Sequence, residues 1–353
     1  MTARTTPRVA VAGAAAVSAF GLGWRGLGDA VLEGKPLRST SHALAATHPG
    51  VEAAEVPALP PGQDAGDGRQ RKLMSRGARL SAVVMREALR DARWSEGREE
   101  IGAFLGVGAS GGSMGELTAM LQASMEGGAF SLERFGGDGL AACNPLFAFQ
   151  LMNNFTLCHG AILEGVGGPN GALFSRGAGT VRALREAVAT VTTGECERAL
   201  AGGSDSALHP VTWAELEREG FAARGLVPGE GAGLLALSSR PEDTALAWLE
   251  RCEVLPRDGL SRVLTESQGR VDAVLTAAWG PGMAGELGAG AARLGVPVSD
   301  TVRVLGEALA ASPALAWAAA LDLLTRERAR RVLVLSLGVD GELGLVELAG
   351  VAR

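Results

Sequence analysis

Gly168-Pro169-Asn170-Gly171-Ala172-Leu173-Phe174-Ser175-Arg176-Gly177-Ala178-Gly179-Thr180 reads as a turn, a short apolar strand and a sharp bend that opens a helix over Val181 to Val191. A strand that bends sharply into a helix is an architecture that presents a nucleophile, because the helix N-terminus offers backbone N–H groups to developing negative charge. No nucleophile stands at this bend, whose centre is Gly177. Ser175, two residues earlier, carries a hydroxyl, but no base lies beside it in sequence to activate it.

Around the bend, strands and helices alternate. Upstream come a strand (Arg8 to Ala12), a helix (Trp24 to Leu32), a Pro/Gly/Asp-rich loop (Pro57 to Gly68), a helix (Lys72 to Ala92) and a strand (Ile101 to Leu105). A Gly turn then leads to helices over Ser113 to Met125 and near Pro145 to Asn154. Downstream are strands over Arg198 to Gly202 and Ala232 to Leu237. Such alternation predicts an α/β protein built on a parallel sheet. The C-terminal part repeats the later pattern: a strand at Val296-Pro297-Val298, a helix over Val304 to Leu324, a strand over Val332 to Leu337, a turn over Gly338 to Gly341 and a strand over Leu343 to Leu348. The repetition predicts an internal duplication. Asp272 to Ala277 matches the first strand of the chain, so the halves are expected to span residues 1–240 and 241–353.

Bulk properties agree with two packed halves, since 353 residues exceed the roughly 250–300 at which one core stops growing. A net charge of -6 argues against a nucleic-acid surface, which needs a positive field. The one basic cluster, Arg69, Arg71, Lys72, Arg76 and Arg79, opens an amphipathic helix and reads first as a solvated face, second as a dock for an acidic partner. Cys143, Cys158, Cys196 and Cys252 are far apart without a C-x-x-C pair, which points to reduced thiols in the cytoplasm and away from zinc. The run Val9 to Trp24 behind Arg4 and Arg8 is too Gly/Ala-rich for an export signal and reads as a strand and turn. Leu305 to Leu324 contains Glu307, Pro313 and Asp322, so it reads as a buried Ala-rich helix rather than a membrane span.

Gly106-Val107-Gly108-Ala109-Ser110-Gly111 fits G-x-G-x-x-G. It does not stand near the start of the fold, and no acidic residue closes a strand about 20 positions on, as a dinucleotide site requires. The four histidines, His42, His48, His159 and His209, sit in loops or beside turns and read as surface or structural residues.

The chain resembles the β-ketoacyl synthases, whose Gly-Pro turn leads through a strand to a T-A-C-x-x-G/S bend. Four further segments carry the resemblance. Val9-Ala10-Val11-Ala12-Gly13 with Ala16-Val17-Ser18-Ala19-Phe20-Gly21 is similar to the family's opening strand. Arg76-Gly77-Ala78-Arg79-Leu80 with Ala88-Leu89-Arg90-Asp91-Ala92 is similar to its R-x-A-R-x-A helix. Ala201-Gly202-Gly203-Ser204-Asp205 and Gly229-Glu230-Gly231-Ala232-Gly233 are similar to its A-G-G-x-E/D and G-E-G-A-G turns. The resemblance implies a thiolase-like fold, with duplicated α/β halves in a layered α/β/α/β/α arrangement.

It also implies where catalysis would sit, and those positions are empty of chemistry. The acyl-accepting cysteine maps to Gly177, the first histidine to Trp279, the lysine to Val302 and the second histidine to Glu307. The phenylalanine that gates the pocket maps to Val339. Decarboxylative condensation needs a thiolate and two imidazoles, so the resemblance implies the family's inactive member, the chain-length factor. Such a subunit pairs with an intact ketosynthase in type II polyketide or fatty-acid-like systems, meets a carrier protein bearing phosphopantetheine, and binds no cofactor itself. Met114, Leu117, Met120 and Leu121 are expected to face the acyl tunnel or to serve as ordinary core. The alternatives are a stand-alone enzyme on carrier-bound thioesters, a homodimeric acyl-binding scaffold, and a decarboxylating relative, although that last type keeps its histidines. The family's loops near residues 215–228 and 279–286 look trimmed.

Overall fold

The computed structural model describes residues 8–109 and 111–351; Arg4 of the signal-like run and Ser110 of the glycine-rich run lie outside them. Ten strands follow in order: β1 (Val9–Ser18), β2 (Gly102–Val107), β3 (Asn170–Phe174), β4 (Arg198–Ser206), β5 (Glu230–Ser238), β6 (Ala247–Pro256), β7 (Ala273–Ala278), β8 (Val298–Asp300), β9 (Arg331–Leu337) and β10 (Glu342–Gly350). The helices that pack on them are α1 (Leu27–Glu33), α2 (Arg76–Asp91), α3 (Met114–Ala123), α4 (Phe155–Glu164), α5 (Gly179–Thr193), α6 (Pro210–Arg218), α7 (Leu260–Ser267), α8 (Gly280–Ala291), α9 (Thr301–Leu305) and α10 (Ser312–Thr325).

The strands run in the spatial order β8-β7-β9-β10-β6-β1-β5-β4-β2-β3, with the short strand Gly21–Leu22 paired to β1. The order is the same read outward from the centre in either direction. In each half the outer three strands pair in parallel and the inner ones antiparallel: β3, β2 and β4 against β8, β7 and β9, then β5 with β1 against β10 with β6. The halves join where Val9 to Val11 meet Ala247 to Leu249. The predicted duplication is therefore present, with one correction: the mate of β1 is β6, and Asp272 to Ala277 belongs to β7, the mate of β2. The expected boundary at residue 240 falls between β5 and β6.

Three apolar clusters show why the elements stack as five layers. One fills the space between the two halves of the sheet and is built from α5, α10 and the strand faces that look inward. A second lies between the N-terminal half of the sheet and α2 with α4. A third lies between the C-terminal half of the sheet and α7 with α8. Helix α10 can sit at the centre because Ala314, Ala316, Ala318, Ala319 and Ala320 present little bulk, and nearly every residue of it is buried. Burial on all faces is what an apolar, alanine-rich helix requires.

The structure shortens several expected elements and adds others. The helix read over Val304 to Leu324 is broken: Gly306 has φ 74° and leaves α9 for a turn through Leu309–Ala311 before α10 begins. A positive φ ends a helix and favours glycine. The helix from Lys72 starts at Arg76, because the Ser75 hydroxyl accepts the Ala78 N–H at 3.2 Å and caps it there. Residues 280–291, where a loop near 279–286 was expected to be trimmed, form α8, with Pro281 in its first turn. The strand read at Val296 begins at Val298. Strand β6 and helices α4, α6 and α7 were not foreseen. Among the described residues no helix is long and apolar enough to cross a membrane.

Candidate functional site

Strand β3 delivers Ser175, Arg176 and Gly177 to the N-terminus of α5, and the Gly338–Gly341 turn between β9 and β10 closes over them. The Val339 N–H donates to the Arg176 carbonyl at 2.9 Å. Asp340 reaches into the bend: its Oδ2 accepts the Ala178 N–H at 2.8 Å and the Ser175 hydroxyl at 2.9 Å. Ser175 Oγ in turn accepts the Gly179 N–H at 2.7 Å. A carboxylate at the positive end of a 15-residue helix is favourably placed. Two N–H groups at this helix end, those of Ala178 and Gly179, are thus already engaged.

The same contacts explain the glycine. A Cβ on residue 177 would lie 2.2 Å from Asp340 Oδ1 and 2.6 Å from its Cγ. A Cβ on Gly338 would lie 2.2 Å from both the Arg176 carbonyl and Gly177 Cα. The two glycines make room for each other, and the carboxylate of Asp340 fills the space a side chain at 177 would need.

The other positions expected to match catalytic residues lie in packed surroundings. Trp279 is buried in a cluster with Leu208, Trp213, Leu216, Phe221 and Leu309. Phe221 meets it edge-on at 6.4 Å, and the Arg176 guanidinium lies 5.4 Å from its ring. Arg176 is held by Glu219 through two bonds of 2.9 and 2.5 Å. Val302 is half-buried in α9 against the central core. Val339, expected at the gate position, is exposed at the turn.

Glu307 is wholly buried in the turn between α9 and α10. Its Oε1 accepts the Leu309 N–H at 2.9 Å and the Ser312 hydroxyl at 2.8 Å, while Oε2 finds no partner among the described residues. Burial pushes its carboxyl up to about 8. Asp205, at the end of β4, accepts the Ser206 N–H at 2.8 Å and the Ala310 N–H at 3.2 Å, and burial pushes it up to about 7. Neither carboxyl meets a cation. Glu230, by contrast, is paired with Arg76 and accepts the Ser206 hydroxyl at 3.0 Å. In the sequence Asp205 and Glu230 stood out only through their turn motifs and Glu307 only as the position matched to a histidine; their burial was not legible there.

The remaining candidates divide. Met114 faces a cavity, Leu117 is half-buried, Met120 is buried and Leu121 is 42% exposed. The basic cluster is largely neutralised within the chain: Arg76 by Glu230, Arg71 and Arg79 by Asp64. The glycines of the G-x-G-x-x-G run serve packing, since a Cβ on Gly106 would strike Thr180 and one on Gly108 would strike Asp205. His209 accepts the Val211 N–H on Nδ1 at 3.3 Å and bonds the Gly112 carbonyl through Nε2 at 2.9 Å, a structural tie. His42 and His48 stand beside Glu55 and Glu217, and His159 packs on Phe155. Among the described residues no three His, Cys, Asp or Glu are placed to hold a metal.

Large exposed apolar side chains concentrate between α3 and β3. Met125, Phe130, Leu132, Leu140, Ile162 and Phe174 are 40 to 76% exposed, and β3 itself is the edge of the sheet. Exposed apolar side chains and an open strand edge are features that interfaces use.

Residues 6–243 match the family described as "Beta-ketoacyl synthase, N-terminal domain". No curated protein matches the chain. Among solved structures, "The ishigamide ketosynthase/chain length factor" is 18% identical with a TM-score of 0.81, covering 99% of this chain and 100% of that one. "AntDE:AntF (apo): type II PKS acyl-carrier protein in complex with its ketosynthase bound to the hexaketide" is 14% identical at 0.76, covering 98% and 100%. The oxazolomycin ketosynthase domain OzmH KS7 from Streptomyces albus JA3453 is 14% identical at 0.74, covering 98% and 75%. At these identities the three structures speak for a shared thiolase-like fold.

Proposed function

Because the chain belongs to the β-ketoacyl synthase family, we propose that it is a non-catalytic member, a chain-length factor that pairs with an intact ketosynthase and shapes the tunnel holding the growing acyl chain. The observation that carries this reading is the Asp340 carboxylate in the bend. The position matched to the acyl-accepting side chain is a glycine, the space beside it is filled, and the N–H groups of Ala178 and Gly179 are taken. Trp279, Val302 and Glu307 supply no imidazole or ammonium to stabilise an enolate or to relay a proton.

The partner half of the reading draws on the uncovered apolar side chains next to the β3 edge. One solved neighbour is a ketosynthase/chain length factor, and another is a ketosynthase with its acyl-carrier protein. The phosphopantetheine arm would arrive on such a carrier, and this chain would hold no cofactor of its own. The complex would work in the cytoplasm. Leu117 and Leu121, four residues apart on one face of α3, are the proposed tunnel residues together with Met114.

Coexpression with an intact ketosynthase, followed by mass measurement of the purified complex, is expected to give a heterodimer. The chain alone, incubated with acylated and malonylated carrier protein, is expected to release no carbon dioxide. Turnover without a partner would overturn the non-catalytic reading, and failure to co-purify would overturn the pairing.

A further inference from the structure

Leu309, in the turn between α9 and α10, has φ 51° and is 6% exposed. Among the described residues it is the one buried non-glycine residue in the left-handed region, since Arg93 and Glu327 are exposed. A leucine held there is strained, and such strain persists only where surrounding contacts fix it. Two buried carboxyls fix it here: Glu307 Oε1 accepts the Leu309 N–H at 2.9 Å and Asp205 Oδ2 the Ala310 N–H at 3.2 Å. They seat the Leu309 side chain among Trp213, Phe221 and Trp279. At the start of the turn Gly306, with φ 74°, gives the backbone a point about which to swing.

A proton on Glu307 has one place to sit. Oε1 already accepts two donors, the Leu309 N–H and the Ser312 hydroxyl, so the acidic hydrogen belongs on Oε2, which has no partner among the described residues. Ionised, Oε2 would be a fully buried charge with nothing to answer it. The titratable groups that face it are themselves acids, Asp300 at the head of α9 and Asp205 at the end of β4. The cations of the neighbouring elements are turned elsewhere. Arg303 on α9 donates to the Gly34 carbonyl at 3.4 Å, and Arg76 on α2 is taken by Glu230, which follows the Pro228–Gly229 segment paired to the turn. Glu55, beside Ala54 on the next segment, accepts the His42 N–H at 2.8 Å. Burial, with those two acids, holds the Glu307 proton up to about 8.

We propose that the Gly306–Ala311 turn is a proton-operated latch: the neutral acid of Glu307 keeps Leu309 in the Trp279 cluster, and loss of its proton lets the turn open about Gly306 while the sheet stays folded. The closed turn holds the proton more tightly than the open one. The latch is therefore fully engaged below the usual 4.5 and weakens as pH rises toward about 8. Opening withdraws Leu309 from the ring of Trp279, over which the Arg176 guanidinium lies at 5.4 Å, so the change is felt one residue from Gly177. The latch goes beyond the partner-subunit reading and does not depend on it.

Native-state hydrogen exchange of the full chain tests it, read by mass spectrometry between about pH 5 and pH 8 and corrected for the intrinsic rate. Protection of the Leu309 and Ala310 amides is expected to fall at least thirtyfold over that range, while the β5 amides stay at least tenfold better protected at every pH. Glu307→Gln, which keeps an acceptor for the Leu309 N–H, is expected to shrink the fall at least fivefold. A second measurement needs no variant: the infrared spectrum of the chain isotope-labelled at its glutamates should show a protonated-acid band near pH 7 that fades by about pH 9. Turn protection that does not change with pH, a fall shared equally by β5, an equally steep fall in Glu307→Gln, or no protonated-glutamate band would overturn the latch.

Discussion

Replacing Gly177 by alanine adds one methyl group to the bend and should destabilise the protein for a reason that lies 163 residues away, at Asp340. The backbone is not the obstacle: Gly177 is absent from the positive-φ residues, so an L side chain can adopt its conformation. The obstacle is contact. The new Cβ would sit 2.2 Å from Asp340 Oδ1, more than an ångström inside normal van der Waals separation, and Asp340 must swing out. It then loses the Ala178 N–H at 2.8 Å and the Ser175 hydroxyl at 2.9 Å. A hydrogen bond to a charged group contributes about 1.5–3 kcal/mol and a lost N-terminal cap costs about 0.5–2 kcal/mol. Asp340 is exposed and regains water, so the net cost expected for Gly177→Ala is about 2 kcal/mol. Urea unfolding of four proteins isolates the cause: wild type, Gly177→Ala, Asp340→Gly and the double variant. With Asp340 already gone the alanine should cost almost nothing, giving a coupling of about 2 kcal/mol. A Gly177→Ala variant within about 0.5 kcal/mol of wild type, or one equally costly without Asp340, would refute the account.

Two further outcomes follow from other parts of the molecule. Glu307 holds its proton to about pH 8 in the folded protein against a usual 4.5. Its contribution is therefore full below about 4.5 and is lost as pH rises toward 8. Glu307→Gln, which keeps an acceptor for Leu309 and Ser312, should unfold at a urea midpoint that falls less between pH 5 and 8.5 than the wild-type midpoint does; an unchanged slope counts against Glu307 as the titrating group. Leu121→Trp, at a 42% exposed position, should leave the heterodimer intact and shorten its products by overfilling the tunnel at a cost of roughly 1–3 kcal/mol per clash, and an unaltered product distribution would remove Leu121 from the tunnel wall.

The duplication was legible because α10, β9 and β10 repeat the order of α5, β4 and β5 with similar apolar runs. The missed elements share a physical cause. In β6, Glu250, Arg251 and Glu253 interrupt the apolar pattern, yet pairing with β10 along its length makes a strand of it. In α8, Gly280, Gly282, Gly285, Gly288 and Gly290 argue for a turn, and packing against β7 and β8 overrides a propensity cost of about 1 kcal/mol per glycine. At the site, the absence of a nucleophile at Gly177 was readable from one residue. The group that replaces it was not, because Asp340 reaches the bend only through the folding of the second half onto the first. The acids at 205 and 307 were visible as residues, but their lack of cationic partners is a property of the packed interior.

The facing glycines at 177 and 338 also bear on history. A cysteine restored at 177 alone would have to expel Asp340, so the first step back toward a nucleophile costs stability and returns no activity. Removing Asp340 first uncaps α5 and still leaves no thiol. Even both changes together meet Trp279, Val302 and Glu307, each packed into an interior that an imidazole or an ammonium would disturb. On the proposed non-catalytic reading, the fit of these two distant turns makes a return to a nucleophile at the bend costly at its first step.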